Sequence, residues 1–461
     1  MKLHDYQEEA VEFLIKRTVV QSEFGAAIFA DPGMGKTLIA LEFIRRWESR
    51  KGRKAKVLIV APLRPLLMTW PEENEKWGFN FPVKNLRKPS KEKDRNHGLY
   101  LINPESLSKA KSTKYDIIIV DESTKFKNWS AQRTKTLRKI VQDYHKPAVV
   151  LLTGTPSPNG AQDLFSQFYF CDRGQALGDQ LQSFRNNFMK RVQVTNNAFT
   201  WEFRKSRLPE LQLRTKKLAY RLDAKEHLNM PEIVYNNIWV DLPAGARKIY
   251  EDAENGLFME IEGTDSIAAL GNAASSFAKC RQIANGSVYD STGEVVIVHK
   301  EKKQALYDLH EELAGKQLLV AYQFKHDKRG TLERCIDGEV RQEEAEENSK
   351  LWNQGKLSLM GINSAGSHGL NLQLSGCSDV AWYGLTPNLE NYAQTNYRIY
   401  RQGNNSRCIR IHRILARNTI DVPLMRLIES KKSEAEEILH TFKHYRMEKQ
   451  LQEALSEQDQ Q

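Results

Sequence analysis

The 461-residue sequence has few cysteines and lacks any long hydrophobic run. Its five cysteines are scattered singly, without a Cys-x-x-Cys pair, which argues against a disulfide framework and against a cysteine-based zinc site. No segment approaches the roughly 20 apolar residues of a membrane-spanning helix, and the start of the chain does not resemble a signal peptide. We therefore expect a cytoplasmic protein without a membrane partner.

Acidic residues are in the minority, with 58 against 68 basic residues and a net charge of +10. A basic excess favours polyanionic partners. Seven basic residues fall within the segment 45–56, which contains a single acid, Glu48. This basic cluster is either a polyanion-binding patch or a solvated loop between two elements, and the sequence leaves both possibilities open.

The segment Ala30–Thr37 (ADPGMGKT) lies between a short apolar run and a helical pattern of apolar residues. Strand, glycine-rich turn and helix in this order are typical of a phosphate-binding loop. Backbone N–H groups around Gly33 and Gly35 would surround phosphate oxygens, Lys36 would reach the β- and γ-phosphates, and Thr37 would join the Mg2+ shell. The segment begins with alanine where the usual pattern has glycine, so by itself it could also be an ordinary tight turn.

A second motif combines a strand with two carboxylates. Four β-branched residues at 117–120 predict a fully buried strand of a parallel sheet, and Asp121 and Glu122 follow at its end. Open α/β sheets bind ligands at this end of their strands. Asp121 would hold Mg2+ and Glu122 would polarise the attacking water. The alternative is a pair of solvated acidic residues without a function. The presence of a phosphate-binding loop upstream makes this alternative the weaker one.

The pattern of apolar residues divides the chain into blocks. Strand-like and helical segments alternate over residues 1–160 and again over 296–445, which predicts an α/β fold with parallel sheets. Residues 161–295 have a mostly helical and polar pattern. The polar segment 446–461 is predicted to be a frayed tail.

These segments together resemble the Swi/Snf-type group of superfamily-two DNA translocases over about residues 3–430. The opening LHDYQ resembles a motif of that group in which the glutamine, here Gln7, reads adenine. The segment Asp121–Asn128 (DESTKFKN) resembles its Asp-Glu-Ala-His box, with Thr124 in place of the histidine. Residues 152–159 (LTGTPSPN) are close to its Thr-Gly-Thr-Pro segment.

The rest of the chain is similar to the same group. Residues 214–286 follow the order of its inter-lobe helical protrusions, which simple DEAD-type helicases lack. The segment 363–372 (NSAGSHGLNL) and then Gln394, Arg398 and Arg401 match its second lobe. On a helix these three side chains lie at i, i+4 and i+7 and share one face. An arginine there would stabilise charge that develops on the γ-phosphate.

The resemblance implies two RecA-like parallel-sheet lobes, 1–160 and 296–445, with a helical insertion between them. It implies a DNA-dependent ATPase that translocates mainly on double-stranded DNA and remodels branched DNA or DNA–protein complexes. ATP and Mg2+ are the implied cofactors, and DNA, bound through its backbone without sequence preference, is the implied partner. The chain resembles the small members of the group found in bacteriophages and mobile elements, which implies a bacterial or phage-infected host cell. We expect it to be monomeric, and no recruiting protein can be named.

The resemblance assigns roles to individual residues. Those expected to bind the nucleotide are Gln7, Gly33, Gly35, Lys36, Thr37 and Gly369. Those expected to act in hydrolysis are Lys36, Asp121, Glu122, Gln394, Arg398 and Arg401. Those expected to hold the metal are Thr37 and Asp121. Those expected to contact DNA are Arg64, Lys127, Asn128, Ser364 and Asn371.

Two other functions stay open. One is an RNA helicase, and the other is an ATP-gated DNA-clamping subunit of a repair or restriction assembly. The Gly-Thr-Pro segment and the helical block favour the DNA group over RNA helicases, and intact Lys36, Asp121, Glu122 and Arg401 favour an active enzyme. Thr124 raises the question of how nucleotide binding is transmitted without the usual histidine.

Overall fold

The computed structural model describes residues 2–87, 97–110, 114–142, 146–193, 199–228, 230–262, 267–290, 292–332, 334–336, 342–363, 372–401 and 403–431. These residues divide into two compact units. The first is built from Met1–Arg191 and Trp201–Leu228, and the second from Val192–Thr200 and Asn229–Lys432, so far as these ranges are described.

The first part of the chain alternates strands and helices. Its strands are β1 (Gly25–Ala30), β2 (Lys56–Val60), β3 (Val83–Asn85), β4 (Gly98–Ile102), β5 (Ile117–Asp121), β6 (Ala148–Thr153), β7 (Met189–Gln193), β8 (Phe199–Phe203) and β9 (Ala219–Leu222). Its helices are α1 (Asp5–Ile15), α2 (Lys36–Lys51), α3 (Leu63–Leu67), α4 (Thr69–Lys76), α5 (Gln132–Val141), α6 (Gln162–Asp172), α7 (Leu181–Phe188), α8 (Leu208–Thr215) and α9 (Ala224–His227). Shorter helical turns are Lys16–Val20, Pro104–Ala110, Ser123–Phe126 and Lys205–Arg207.

A sheet of seven parallel strands forms the centre of the first unit, counted over the described residues. Its order is β3-β4-β2-β5-β6-β1-β9. Every residue of β1, β2, β4, β5 and β6 is buried, so side chains on both faces are covered. This explains why the run at 117–120 is apolar without alternation, and it confirms the predicted parallel strand.

The second unit contains a second parallel sheet. Its strands and two hairpin strands are β10 (Glu232–Val240), β11 (Ser287–Tyr289), β12 (Val295–Ile297), β13 (Leu318–Tyr322), β14 (Cys335–Ile336), β15 (Leu359–Asn363), β16 (Asp379–Trp382) and β17 (Cys408–Ala416). Its helices are α10 (Ala244–Glu262), α11 (Ile267–Asn285), α12 (Glu301–Glu312), α13 (Lys325–Lys328), α14 (Gln342–Asn353) and α15 (Leu389–Asn396). Within the described residues the sheet has six strands, in the order β10-β17-β16-β13-β15-β14, and β11 pairs antiparallel with β12. The α/β fold class with two parallel-sheet lobes is confirmed.

Residues 161–295 contain the predicted helices but also contribute to both sheets. β9 pairs with β1 at one edge of the first sheet, and β10 pairs with β17 along nine residues at one edge of the second. Both strands are at a sheet edge and are only partly buried. The limits of the three blocks stay predictions.

A buried lysine organises the second unit. Lys302, in α12, is fully buried, and its Nζ lies 2.6 Å from Oδ2 of Asp421. The same ammonium donates to Oδ1 of Asn285 at 2.9 Å and to the carbonyl of Tyr383 at 3.2 Å. Asn285 is the last residue of α11, so this cluster of hydrogen bonds fixes the end of the predicted helical block to the second sheet.

No helix in the described part of the chain is both long and apolar enough to cross a membrane.

An ion pair fastens the edge strand β9 to the segment that follows β1. Nη2 of Arg221 lies 2.6 Å from Oδ1 of Asp31, and Nη1 donates to the carbonyl of Phe29 at 3.2 Å. The other carboxylate oxygen of Asp31 accepts the N–H of Ala224 at 3.0 Å. The two charged side chains are only 9% and 11% exposed, so either one would be costly to leave without its partner.

We expect Arg221→Ala to lower the free energy of unfolding by about 3 to 5 kcal/mol, because it leaves the Asp31 carboxylate buried without its cation. The control is Arg53→Ala. Arg53 makes an equally short 2.6 Å pair with Asp116 but is 55% exposed. Its loss should cost less than about 1 kcal/mol. Urea unfolding of the full chain measures both values, and equal losses would contradict the importance of burial here.

Candidate nucleotide-binding site

The predicted phosphate-binding loop connects β1 to α2. Gly33 and Gly35 have φ values of 89° and 75°, in the left-handed region that favours glycine. Gly35 is also the N-cap of the 16-residue helix α2, whose first N–H groups and dipole favour an anion. A β-carbon on Gly35 would lie 2.4 Å from Nε2 of Gln7. Both backbone conformation and a close side chain therefore require glycine at this position.

Gln7, on α1, lies directly against this loop. Its Nε2 donates to the carbonyl of Met34 at 3.4 Å, and its Oε1 accepts the N–H of His4 at 3.1 Å. The side chain is buried, with the residue 4% exposed. The structure thus brings the residue expected to read the base next to the residues expected to bind the phosphates.

Lys36, the first residue of α2, turns back over the loop. Its Nζ donates to the carbonyl of Ala30 at 2.9 Å and to that of Asp31 at 3.4 Å. Thr37 follows in the first turn of α2 and is partly exposed. The ammonium and the hydroxyl therefore both lie at the helix start, where the sequence predicts phosphate and metal ligands.

Asp121 and Glu122 lie at the carboxyl end of β5. Oδ2 of Asp121 accepts the indole N–H of Trp70 at 3.2 Å, and Oδ1 accepts the N–H of Glu122 at 3.1 Å. Burial raises the pKa of Asp121 above its usual range, while the positive charge of Lys36 and these two hydrogen bonds oppose the shift. Since β1 and β5 both pair in parallel with β6, the loop after β1 and the acidic pair at the end of β5 lie at the same edge of the sheet.

Glu122 is held in an unusual backbone conformation. Its φ is 50°, in the left-handed region, which is uncommon for a residue with a β-carbon. The residue is partly exposed, whereas Asp121 is buried. Such conformations cluster at functional sites.

The donors suit magnesium. Mg2+ prefers oxygen ligands and keeps several waters, so it is held by one or two protein groups together with phosphate oxygens. Asp121 offers a carboxylate and Thr37 a hydroxyl. Among the described residues there is no cluster of three or more His, Cys, Asp or Glu that could hold a metal by itself. The chemistry of the two donors therefore fits a metal that arrives with a nucleotide.

The two hydroxyls after the acidic pair bind the Thr-Gly-Thr-Pro segment. Oγ1 of Thr124 lies 2.9 Å from Oγ1 of Thr153, and both side chains are fully buried. Ser123 donates to Oε1 of Gln167 at 2.7 Å, and Nε2 of Gln167 donates to the carbonyl of Pro156 at 2.6 Å. Within the first unit, these bonds join the residues after the acidic pair to the Thr-Gly-Thr-Pro segment, with Thr124 in the position of the usual histidine. The sequence did not point to Gln167, because it is a single polar residue among the aromatic residues of α6.

The prediction that Gln394, Arg398 and Arg401 share one face of a single helix is wrong. Helix α15 ends at Asn396, whose side chain accepts the indole N–H of Trp382 at 2.9 Å. The N–H groups of Arg398 and Arg401 then bond three and two residues back, in turns rather than in an α-helix. Gln394 and Arg398 are each 6% exposed, and Arg401 is partly exposed.

The residues expected to contact DNA are only partly described. Lys127 and Asn128 follow the helical turn Ser123–Phe126, and Asn128 is exposed, with its Oδ1 accepting two hydrogen bonds from Ser130. Arg64 lies in α3, but its side chain is outside the described part. Ser364, Gly369 and Asn371 also lie outside the described residues. Their roles stay predictions.

Five basic side chains of the cluster at 45–56 form ion pairs with acidic side chains of the same unit. Its ion pairs and N–O distances are Arg45–Glu42 at 2.5 Å, Arg46–Glu8 at 2.5 Å, Arg50–Glu12 at 3.4 Å, Arg53–Asp116 at 2.6 Å and Lys54–Glu48 at 3.0 Å. The cluster is therefore neither a bare polyanion patch nor a simple solvated loop. Two of these pairs, those of Arg46 and Arg50, join α2 to α1.

Comparison with known proteins identifies the family of the chain. A sequence model described as SNF2-related domain matches residues 6–288. A putative protein, p41, of Acyrthosiphon pisum secondary endosymbiont phage 1 is 33% identical over 445 residues, which cover 90% of this chain and 94% of the phage protein. The putative ATP-dependent helicase/translocase YwqA of Bacillus subtilis is 23% identical over 95% of this chain, and the match spans 49% of the length of YwqA.

Among solved structures, this chain is similar to a Sulfolobus solfataricus SWI2/SNF2 ATPase core in complex with dsDNA. The identity is 20%, the TM-score is 0.44, and the match covers 95% of this chain and 93% of that one.

The family match extends over more than half of the chain, and the phage protein is similar over nearly its whole length. These findings confirm the resemblance on which the expectations above rest. The chain belongs to the SNF2-related family, of the ATP-hydrolysing helicase and translocase type.

Proposed function

We propose that this chain is a DNA-dependent ATPase that translocates mainly on double-stranded DNA and remodels branched DNA or DNA–protein complexes. The observation that carries the proposal is the joining of four motifs in one unit. Gln7 contacts the phosphate-binding loop, Asp121 ends β5 in the same parallel sheet as the strand before that loop, and Thr124 binds Thr153. This arrangement supports the roles proposed for these residues in base recognition, phosphate binding, water activation and signalling.

ATP binding would use the loop and the start of α2. Backbone N–H groups around Gly33 and Gly35 would donate to phosphate oxygens, and Lys36 would exchange the carbonyls of Ala30 and Asp31 for the β- and γ-phosphates. Thr37 and Asp121 would hold Mg2+, which neutralises charge on the transferring phosphoryl group when bound.

Hydrolysis would use the acidic pair and the segment 394–401. Glu122 would orient and polarise the attacking water, a role that suits a partly exposed residue beside a buried one. Arg401, with Arg398 as the alternative, would stabilise charge that develops on the γ-phosphate, and Gln394 would assist.

The proposed partner follows from charge and from the family resemblance. The net charge of +10 favours a polyanion, and contacts of Arg64, Lys127, Asn128, Ser364 and Asn371 with phosphates would carry no base sequence. The Thr-Gly-Thr-Pro segment and the block at 214–286 support DNA rather than RNA as the polymer.

We expect Lys36→Ala and Glu122→Gln both to abolish turnover, but for different reasons. Lys36→Ala removes a phosphate contact and should weaken ATP binding. Glu122→Gln keeps the size of the side chain and loses only the group that polarises water, so ATP should still bind. A fluorescent ATP analogue measures binding and phosphate release measures turnover. Equal loss of ATP binding in the two variants would contradict the assigned roles.

Arg401→Ala should reduce DNA-stimulated hydrolysis by about a hundredfold or more, with ATP affinity nearly unchanged, because the guanidinium acts on transition-state charge. Arg398→Ala is the comparison, since the sequence offers either arginine for this role. Steady-state hydrolysis and ATP binding are measured for both. Near-normal turnover in both variants would rule out a contribution from this segment.

The polymer is tested by ATPase rates with double-stranded DNA, single-stranded DNA, forked DNA and RNA. We expect strong stimulation by DNA and little by RNA, fading as salt rises, because phosphate contacts release counterions. On duplex DNA the protein should displace a third strand without efficient unwinding of a long blunt duplex.

Each other outcome of this test identifies a rival function. Equal stimulation by RNA would favour the RNA helicase. DNA binding that responds to ATP with negligible turnover would favour the DNA-clamping subunit. Efficient unwinding without triplex displacement would contradict translocation on double-stranded DNA.

A further inference from the structure

We propose that Arg46 is a positioning residue for base recognition, which holds α1, and with it Gln7, against the phosphate-binding loop and so sets the preference for adenine. The inference deepens the proposed function and rests on it, because it takes Gln7 as the residue that reads the base. Arg46 itself belongs to the basic cluster and makes no contact with the loop residues described above.

Arg46 binds three carboxylates from two helices. Its Nη1 and Nη2 donate to the two oxygens of Glu8 at 2.5 and 2.6 Å, a bidentate pair. Nη1 also donates to Oε1 of Glu12 at 2.8 Å, and Nε donates to Oε1 of Glu42 at 2.6 Å. Glu8 and Glu12 are four residues apart, hence on one face of α1. One guanidinium of α2 therefore fixes two successive turns of α1.

These contacts differ from an ordinary surface ion pair in their number and geometry. The side chain of Arg46 is 21% exposed, whereas those of Glu8 and Glu12 are 47% and 46% exposed, so the contact with α1 lies near the surface. The hydrogen bonds from Arg46 lower the pKa of Glu8, so this carboxylate stays ionised to a lower pH than a free glutamate does. A planar fork that binds two carboxylate oxygens also fixes direction, which a single contact does not.

The helix α1 is attached to α2 at two separate points. On α2 the two points are Gly35 and Arg46, about 17 Å apart along the helix at 1.5 Å per residue, and on α1 they are Gln7 and the acids Glu8 and Glu12. Because these attachments lie within two turns of α1, they constrain its rotation about its own axis. Fully buried apolar side chains also pack α1 onto the unit, namely Ala10, Val11, Leu14 and Ile15. Without Arg46 the helix would still pack, but its rotation would be less constrained.

Base recognition is sensitive to this rotation. The amide of a glutamine suits adenine because it pairs one donor and one acceptor with the N6 amino group and N7 of the base. A displacement of about 1 Å can cost a large part of such an interaction. Phosphate binding depends on the loop and on Lys36, which Arg46 does not contact. Loss of Arg46 should therefore weaken binding of the base without changing the chemical step.

The test compares Arg46→Gln with Arg45→Gln in the full-length chain. Arg45 is the matched control because it precedes Arg46 on α2, binds Glu42 alone among the acids described for the cluster and is 57% exposed. For each variant, kcat and KM are measured with ATP and with GTP, with and without duplex DNA. Arg46→Gln should raise KM for ATP about tenfold, the loss expected for one well-placed hydrogen bond, and change kcat and KM for GTP less than about twofold.

Two further variants separate positioning from folding. Arg46→Lys keeps one charge without the fork and should restore only part of the selectivity. Glu8→Gln removes the bidentate contact from the side of α1 and should reproduce the Arg46→Gln result, so it serves as the test if Arg46→Gln lowers the unfolding midpoint. Arg45→Gln should leave selectivity unchanged.

Unchanged selectivity in both Arg46→Gln and Glu8→Gln would overturn the inference. A fall in kcat with equal rises in KM for both nucleotides would do so as well, since it would indicate a purely structural role. The proposed function fails differently. If the wild-type chain shows no preference for ATP over GTP, the proposed role of Gln7 is wrong. If DNA does not stimulate hydrolysis, the proposed DNA-dependent ATPase is wrong. In that second case the Arg46 variants can still be compared by their rates without DNA.

Discussion

The parallel register of β5, β6 and β1 is the constraint on which the nucleotide site depends. β6 lies between the other two, with Leu152 opposite Asp121 and Thr153 opposite Phe29. Because all three strands run in one direction, the acidic pair, the Thr-Gly-Thr-Pro segment and the phosphate-binding loop emerge at the same edge of the sheet. A close approach fixes the register where β1 begins, since a β-carbon on Gly25 would lie 2.2 Å from the carbonyl oxygen of Val149.

The residues with strong local signals could be predicted from the sequence. Gly33, Gly35 and Lys36 stand in a fixed spacing between an apolar run and a helix, and the buried strand before Asp121 is apolar throughout. These signals depend only on neighbours in the chain. The prediction that they lie together followed from the rule that parallel strands place ligands at their carboxyl ends.

Features that depend on distant partners could not be predicted in this way. The spacing of Gln394, Arg398 and Arg401 predicted a helix that continues to Arg401. The sequence does not show that the helix ends at Asn396, whose side chain accepts a hydrogen bond from Trp382. The edge strand β10 was missed because its apolar residues do not alternate with polar ones but form two groups, 233–235 and 238–240, separated by Asn236 and Asn237. The basic cluster left two readings open, since its partners Glu8, Glu12 and Asp116 lie far from it in sequence.

The contact between Thr124 and Thr153 has a consequence for the conditions under which the site can work. A histidine at position 124 would bring into the site a group that gains or loses charge near pH 6.5, so that its contact with the neighbouring motif would differ between acid and neutral solution. Two threonine hydroxyls do not ionise in that range, and either one can donate to the other at the same 2.9 Å distance. The hydrogen bond that connects the acidic box to the Thr-Gly-Thr-Pro segment in this chain is therefore uncharged, and it does not change between acid and neutral pH.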